Sequence, residues 1–300
     1  MAISRNQLVK ELEPGLNALF GLEYKQYENQ AAEIYTTESS DRAFEEEVML
    51  SGFAQAKVKS EGSGVAFDNA QETFTARYTN ETIALAFAIT EEAIEDNLYD
   101  RLASRYTKAL ARSMASTKQV KGASTLNNGF GTFQSGDGVA LFSTAHPTIA
   151  GTFSNTLATA ADLNETSLEQ ALIDIAALTD ERGLKIAAKG VKMIIPSALQ
   201  FTAERLMKSQ GRVSTADNDI NAIRSMGMIP QGYRVNNYLT DTDAFFITTD
   251  VPNGMKHFNR APLTTKMEGD FDTGNVRYKA RERYVFGVSD PRGIFASPGA

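Results

Sequence analysis

Ser143 and His146 stand three residues apart in the segment LFSTAHP (141–147), a spacing that invites a nucleophile and a base. An imidazole that takes the proton of a serine hydroxyl is the chemistry of acyl transfer. That chemistry needs a sharp turn of the G-x-S-x-G kind and a third group to orient the imidazole. Neither is marked here, and a histidine before Pro147 reads as a hydrogen-bonded packing residue. A Ser/His hydrolase is therefore carried as the outlying alternative. His257, the only other histidine, has no partner pattern at all.

Three other patterns could do chemistry. Gly129, Gly131, Gly136 and Gly138 suggest a phosphate cradle, but a phosphate loop leads from a strand into a Gly-Lys-Ser/Thr helix start. This stretch follows a helix and lacks that ending, so it reads as a loop. The carboxylate pairs Asp217/Asp219 and Asp241/Asp243 are too few for a hard cation, whose EF-hand loop needs a longer ligand series, a central glycine and a terminal glutamate. They read as solvated loop acids. With no cysteine and two histidines, a zinc site would be nearly all carboxylate. The expectation is no catalytic residue, no metal and no cofactor.

The fourth pattern is charge. In RYKARERYVFGV (277–288), Arg277, Lys279, Arg281 and Arg283 fall on one face of a strand. Tyr278, Ala280, Glu282 and Tyr284 fall on the other. Four like charges on one face repel unless solvent or an acidic neighbour relieves them. A solvated sheet face and an inter-subunit contact are weighed equally, and DNA contact ranks third.

The bulk properties agree with that ranking. The 300 residues carry a net charge of −7 and the pI is near 5.1, which argues against a dedicated nucleic-acid binder. The length suits about two domains with a sizeable core. The absence of cysteine fits a chain made in a reducing cytoplasm. No apolar run reaches the roughly 18–20 residues that span a bilayer, and MAISRNQLVKELEPG is not a secretory signal.

The positioning elements follow from periodicity. Residues 1–47 read as an arm, with a helix capped by Ser4 and Gln7 and a second short helix opening at Pro14. Its polar remainder lacks the apolar residues to fold alone, so Tyr24, Tyr27, Ile34 and Tyr35 are expected to anchor it on another surface. Residues 48–90 read as a long hairpin, with VMLSGFAQAKVKS rising and VAFDNAQETFTARYTNETIALAFAIT returning. Its polar tip holds Lys57, Lys59, Glu61, Gly62, Ser63 and Gly64. An arm of a dozen residues reaches roughly 40 Å, and a lone two-stranded ribbon needs a partner surface.

A long helix over 91–120 follows, capped by Thr90, with the stripe Ile94, Leu98, Leu102, Tyr106, Leu110 and Met114. After a loop-rich stretch come an amphipathic helix (Leu168 to Leu178), a buried strand VKMII and a helix opened by a Ser197–Gln200 capping box. Short strands YRVNNYL, AFFITT and MKHF precede the long one at 277–288. The fold class is α+β, without βαβ repetition.

The order of these parts resembles the HK-ninety-seven-type capsid fold of tailed-bacteriophage major capsid (major head) proteins. LFSTAHP, GTFSNTL, AADLNETSLEQAL, VKMIIPSAL and VFGVSDPRGIFASPG are similar to phrases of the Mu-like major head subunits. The resemblance implies an N-arm (1–47), an extended-loop hairpin (48–90), a peripheral domain with a spine helix (91–150), an axial domain (151–250) and returning strands (251–300). It implies a shell subunit of pentamers and hexamers around packaged double-stranded DNA. Portal and scaffolding proteins, and in some cases decoration proteins, would be its partners. It would be made in the host bacterial cytoplasm and reside in the virion. Some relatives crosslink an extended-loop lysine to a neighbour's asparagine; Lys57 and Lys59 are not in a motif that predicts this. No scaffolding extension is read at the N-terminus, so a separate scaffold is expected. An encapsulin-like nanocompartment shell of the same fold is the nearest alternative.

Overall fold

The computed structural model describes residues 5–90, 92, 99–212, 219–270 and 274–300, and the side chains of 5–12 and 99–102 lie outside that description. Helix α1 (Arg5–Gln26) leads through a 3-10 turn (Gln30–Glu33) to β1 (Thr36–Ser39), β2 (Phe44–Leu50), β3 (Glu72–Thr79) and β4 (Glu81–Ile89). Helix α2 (Tyr99–Asn127) is the longest described helix. Then follow β5 (His146–Thr148), β6 (Gly151–Phe153), α3 (Glu165–Ala177), β7 (Gly190–Ile195), α4 (Gln200–Lys208) and α5 (Ala222–Met226). The chain closes with β8 (Tyr233–Val235), β9 (Phe245–Thr249), β10 (Met255–Gly269), β11 (Val276–Val288) and β12 (Ile294–Ser297). No described helix is long and apolar enough to cross a membrane.

Two four-stranded sheets organise the molecule. The first has the order β1-β10-β11-β4, with β1 parallel to β10 and the other pairs antiparallel. Tyr278 and Ala280 of β11 turn inward onto α1 and α2, where Leu16, Phe20, Leu110, Ala111 and Met114 complete a core. The second sheet has the order β12-β9-β7-β8. Met193 and Ile195 of β7 face the core under α3 and α4, whereas Ile194 faces the core that receives Ile34, Tyr35 and Leu126. Phe245 and Ile247 of β9 divide from Phe246 in the same way. A strand covered on both faces reads as a continuous apolar run, which is why VKMII and AFFITT do not alternate. Helix α3 is closed at its start by Asn164 and Ser167 in a reciprocal capping box.

Several expectations change. The arm is one helix through Pro14, not two. Its anchors engage their own chain: the Tyr35 hydroxyl donates to the Gly122 carbonyl at 2.7 Å, and Ile34 is buried. Helix α2 runs on past residue 120, through Gly122, to Asn127. The Ser197–Gln200 capping box does not form, because α4 is entered through a 3-10 turn headed by Pro196. MKHF opens a 15-residue strand that pairs along nearly all of β11. The segment Ile83–Ile89 does alternate, but as β4 at the edge of the first sheet rather than as part of the hairpin's returning leg.

Candidate functional site

Burial decides the catalytic candidate. His146 is fully enclosed and stacks on Phe153 with ring centres 4.8 Å apart. Its Nδ1 lies 2.6 Å from Asp137 Oδ2, and its Nε2 lies 3.1 Å from Asn155 Oδ1 and 3.2 Å from the Leu141 carbonyl. Asn155 is held in that orientation, because its amide donates to Leu141 and Pro291 while its Oδ1 accepts from the Ser143 backbone. Both ring nitrogens therefore face acceptors, and neither is open to take a proton from a nucleophile. Burial works to raise the Asp137 carboxyl, but hydrogen bonds from His146, Ser135 and the Val139 amide outweigh it and hold it below the ordinary range. Ser143 Oγ accepts from the Ala145 amide at 3.2 Å. The constellation is a knot that pins the 129–146 loops to β6, not a triad with an open face.

The other chemical patterns resolve into local structure. The glycine run lies in tight turns after α2, and a Cβ at Gly129 would sit 2.5 Å from the Phe142 ring. Asp241 accepts from the Asp243 amide at 3.2 Å in a surface turn. Asp217 lies outside the described residues. Among the described residues no group of three or more His, Asp or Glu side chains is arranged to hold a metal.

The hairpin is a better candidate for function. Its base is the β2–β3 pair, with Phe44 opposite Thr79 and Leu50 opposite Glu72. Beyond the ladder the legs stay linked: Ser51 N–H donates to Gln71 O at 2.9 Å, and Ala54 N–H donates to the Asp68 carboxylate at 2.7 Å. The turn closes at residues 60–63, with Ser63 N–H donating to Ser60 O and Gly62 at φ +77°. Lys57, Lys59, Glu61, Gly62, Ser63 and Gly64 are all exposed at this tip. Four large apolar side chains on the legs are bare as well, with Val58 99% and Phe67 98% exposed and Phe53 and Val65 more than half so.

The hairpin's root is tied down by ion pairs that sequence spacing did not reveal. Lys256 of β10 is buried against Glu38 of β1 at 3.0 Å and against Glu47 of β2. Ser289 bridges Glu47 and the Tyr78 hydroxyl. Arg182 bonds the Asn69 carbonyl and lies 4.0 Å from Asp68. These partners are up to 242 residues apart in sequence, so no local pattern announces them.

The expected packing stripe is only partly gathered. Leu110 and Met114 are buried in the core under the first sheet, whereas Tyr106 is about half exposed, with its ring 5.9 Å from Phe87. Ile94 and Leu98, and the side chain of Leu102, lie outside the described residues. The buried face of α2 also carries Ala103, Thr107, Ala111 and Ala115. Small residues at helical spacing were the available signal, and counting large residues alone misses them. On β11 the charge row behaves as read: Arg277, Lys279 and Arg281 are exposed and Arg283 is half-buried, while Tyr278, Ala280, Glu282 and Tyr284 are buried. Arg277 pairs with Asp270 of its own chain. Ala84, Ala86 and Ala88 of β4 stand opposite Arg281, Lys279 and Arg277, leaving the row bordered by small side chains.

A body of two sheets crossed by one long helix, with an unsupported hairpin arm rooted between them, is the HK-ninety-seven-type capsid fold. Among solved structures, the chain is similar to the capsid of an empty GTA particle at a TM-score of 0.54 and 16% identity, covering 90% of this chain and 89% of that one. It is similar to the capsid of Myoviridae phage XM1 at 0.54 and 11%, covering 89% of each. It is also similar to a virus-like particle from Pyrococcus furiosus at 0.52 and 10%, covering 94% of this chain and 97% of that one. Identities this low speak for the fold. The search of the curated proteins returned no match. The family of phage capsid proteins matches residues 72–297, and the chain belongs to that family. It is a bacteriophage capsid protein, a structural subunit of the virion head whose family role is not enzymatic.

Proposed function

We propose that this chain is the major head subunit of a tailed bacteriophage, and that it assembles as pentamers and hexamers into an icosahedral shell around the double-stranded DNA genome. The observation that carries this reading is the hairpin. Its legs run beyond the β2–β3 ladder to a turn at residues 60–63, with Phe53, Val58, Val65 and Phe67 bare along them. Apolar side chains on a two-stranded ribbon gain stability only by burial, and burial requires a surface the ribbon's own body does not supply. A neighbouring subunit supplies it, so the loop orders on assembly and each contact adds apolar burial at roughly 25 cal/mol per Å² before the costs of association.

On this reading residues 1–47 act as the arm, 48–90 as the extended loop together with the edge strand β4 that follows its returning leg, 91–150 as the peripheral domain with its spine helix, 151–250 as the axial domain and 251–300 as the returning strands. The row Arg277, Lys279, Arg281 and Arg283 serves an inter-subunit contact, and Ile94 to Met114 is the packing stripe of the spine helix. Portal and scaffolding proteins are the further partners, with decoration proteins where present, and assembly takes place in the host cytoplasm.

The test replaces Lys57–Val65 with a short Gly-containing turn. The variant is expected to unfold at a near-normal temperature and to yield free subunits or capsomers in negative-stain micrographs, where the full chain yields shells. Normal shells from the variant would remove the loop from the assembly contact. A second reading, an encapsulin-like compartment, is favoured by the likeness to the Pyrococcus furiosus virus-like particle. Nucleic acid inside purified native particles separates the two, since a compartment of that kind encloses protein cargo.

A further inference from the structure

Two asparagines precede a glycine, Asn128 and Asn253. The pairing is chemically labile, because a glycine has no Cβ to keep its backbone nitrogen away from the preceding side-chain amide. The structure treats the two pairs differently. Asn128 directly follows helix α2, and its amide donates to the Ser124 carbonyl at 2.9 Å and to Ser124 Oγ at 3.0 Å. Gly129 is buried against Phe142, and its N–H donates to the Leu126 carbonyl at 3.0 Å. Asn253 lies in the turn between β9 and β10, exposed and at φ +59°, a left-handed conformation that asparagine adopts more readily than most residues. Among the described residues its side-chain amide has no hydrogen-bond partner. The Gly254 N–H lies outside the β10 ladder, which opens at Met255.

Both crossovers between the sheets meet at this turn. Residues 250–254 lead from β9 of the second sheet to β10 of the first, and residues 289–293 lead from β11 back to β12. Ser289 N–H donates to Gly254 O at 3.0 Å, and Asp290 N–H donates to Asn253 O at 2.9 Å. The two segments cross so closely that a Cβ on Gly254 would lie 2.8 Å from Gly293 Cα.

We infer that Asn253 is a site of spontaneous deamidation and isomerisation, and that the modification unpins the two crossovers as the chain ages. The Gly254 nitrogen, once it gives up its proton to hydroxide, attacks Asn253 Cγ, and the side-chain amide leaves as ammonia. Water opens the resulting cyclic imide at either carbonyl. Opening at Cγ leaves aspartate. Opening at the main-chain carbon leaves isoaspartate, whose backbone runs through the former side chain and is one carbon longer. No oxidant or reductant takes part. Isoaspartate removes the main-chain carbonyl that accepts from Asp290, and its longer backbone disturbs the Gly254–Gly293 crossing. Either product also adds a carboxylate to a turn whose neighbours Asp250 and Asp290 already line one cavity, where like charges disfavour one another.

The purified chain and its Asn253→Gly variant are aged in parallel at mildly alkaline pH. Glycine suits φ +59° and carries no amide, so the variant keeps the turn. Peptide mass spectrometry and enzymatic methylation of isoaspartate follow Asn128 and Asn253, while hydrogen exchange follows the Ser289 and Asp290 amides. The wild-type chain is expected to lose the amide of Asn253 before that of Asn128, at a rate that rises in proportion to hydroxide. The modified fraction is expected to lose exchange protection at Ser289 and Asp290, and the variant to keep it. An Asn253 that stays intact, or that reacts no faster than Asn128, would overturn the inference. So would isoaspartate at Asn253 with exchange at Ser289 and Asp290 unchanged, or an equal loss of protection in the aged variant.

Discussion

His257 is expected to make the subunit acid-sensitive by an amount that can be worked from its surroundings. The ring is 5% exposed, stacks on Phe286 with centres 4.5 Å apart, and lies edge-on to Tyr284. Its Nδ1 is 3.2 Å from Thr37 Oγ1, and its Nε2 is buried without a partner. Burial, with the nearby Lys118 ammonium adding to it, pushes the imidazole down to about 4 from an ordinary value of 6.5. The sign follows. The unfolded chain binds the proton near pH 6.5 while the folded chain refuses it until about 4, so stability is lost as pH falls through that window. The span is worth roughly 3 kcal/mol. Glu282 works in the opposite sense, since burial raises its carboxyl and acid relieves the cost of its charge. A single acid titration therefore mixes the two. The clean measurement is urea unfolding of dispersed wild-type and His257→Phe subunits from pH 7.5 to 4. The variant keeps the stack, loses the Thr37 bond and removes the unpartnered nitrogen, so at pH 7.5 it should lie within about 1 kcal/mol of wild type. By pH 4 it should be ahead by roughly 3 kcal/mol relative to that starting difference. Parallel profiles across the window would refute the account of His257 as a buried neutral ring.

Gly293 and Gly254 cross backbone to backbone, and a Cβ on Gly293 would sit 2.3 Å from the Gly254 Cα. Gly293→Ala should lower the unfolding free energy by about 2–3 kcal/mol, because neither backbone can yield without moving β10 or β12. Gly131→Ala, whose Cβ meets nothing within 4 Å, should stay within about 0.5 kcal/mol in the same urea titration. The arm should persist in the mature particle. Leu16 and Phe20 are buried against Tyr278, and Asn17 accepts from both the Tyr278 and Thr265 hydroxyls. Intact mass of virion subunits should retain these residues, and a mature chain starting near Glu28 or beyond would show that the arm is a pro-segment.

The fold was legible wherever one face of an element meets a core. The alternation of β11 and the amphipathic stripe of α3 each follow from one-sided burial, and each matches the residues expected, whereas on β4 Ile83, Phe87 and Ile89 are partly buried but Leu85 is exposed. Legibility failed where a segment is buried on two sides or held by distant charges. The arm looked too polar to fold, yet Tyr35 and Ile34 close the core under Leu126, because helix α2 runs further than its large-residue stripe suggested. Pro14 was read as a helix boundary, but proline is excluded from a helix interior only by a lost hydrogen bond and a clash with the preceding turn. Packing of the continuing helix on β10 and β11 outweighs those costs.

The candidate site divides along the same physical line. A catalytic triad would have required His146 at an open surface, and the sequence reading set it aside on motif grounds alone. Burial among acceptors is the stronger reason, and it depends on Asp137 and Asn155, neither of which any motif picks out. The assembly reading rests instead on what the chain leaves unburied. A globular protein scatters single apolar residues over its surface without consequence. Phe53, Val58, Val65 and Phe67 are not scattered, because they lie within 15 residues on two legs of one ribbon. The same ribbon carries two exposed lysines near its tip, Lys57 and Lys59. Apolar surface gathered on one ribbon is the part of the fold that its own body leaves unburied, and burial against another surface is what would stabilise it.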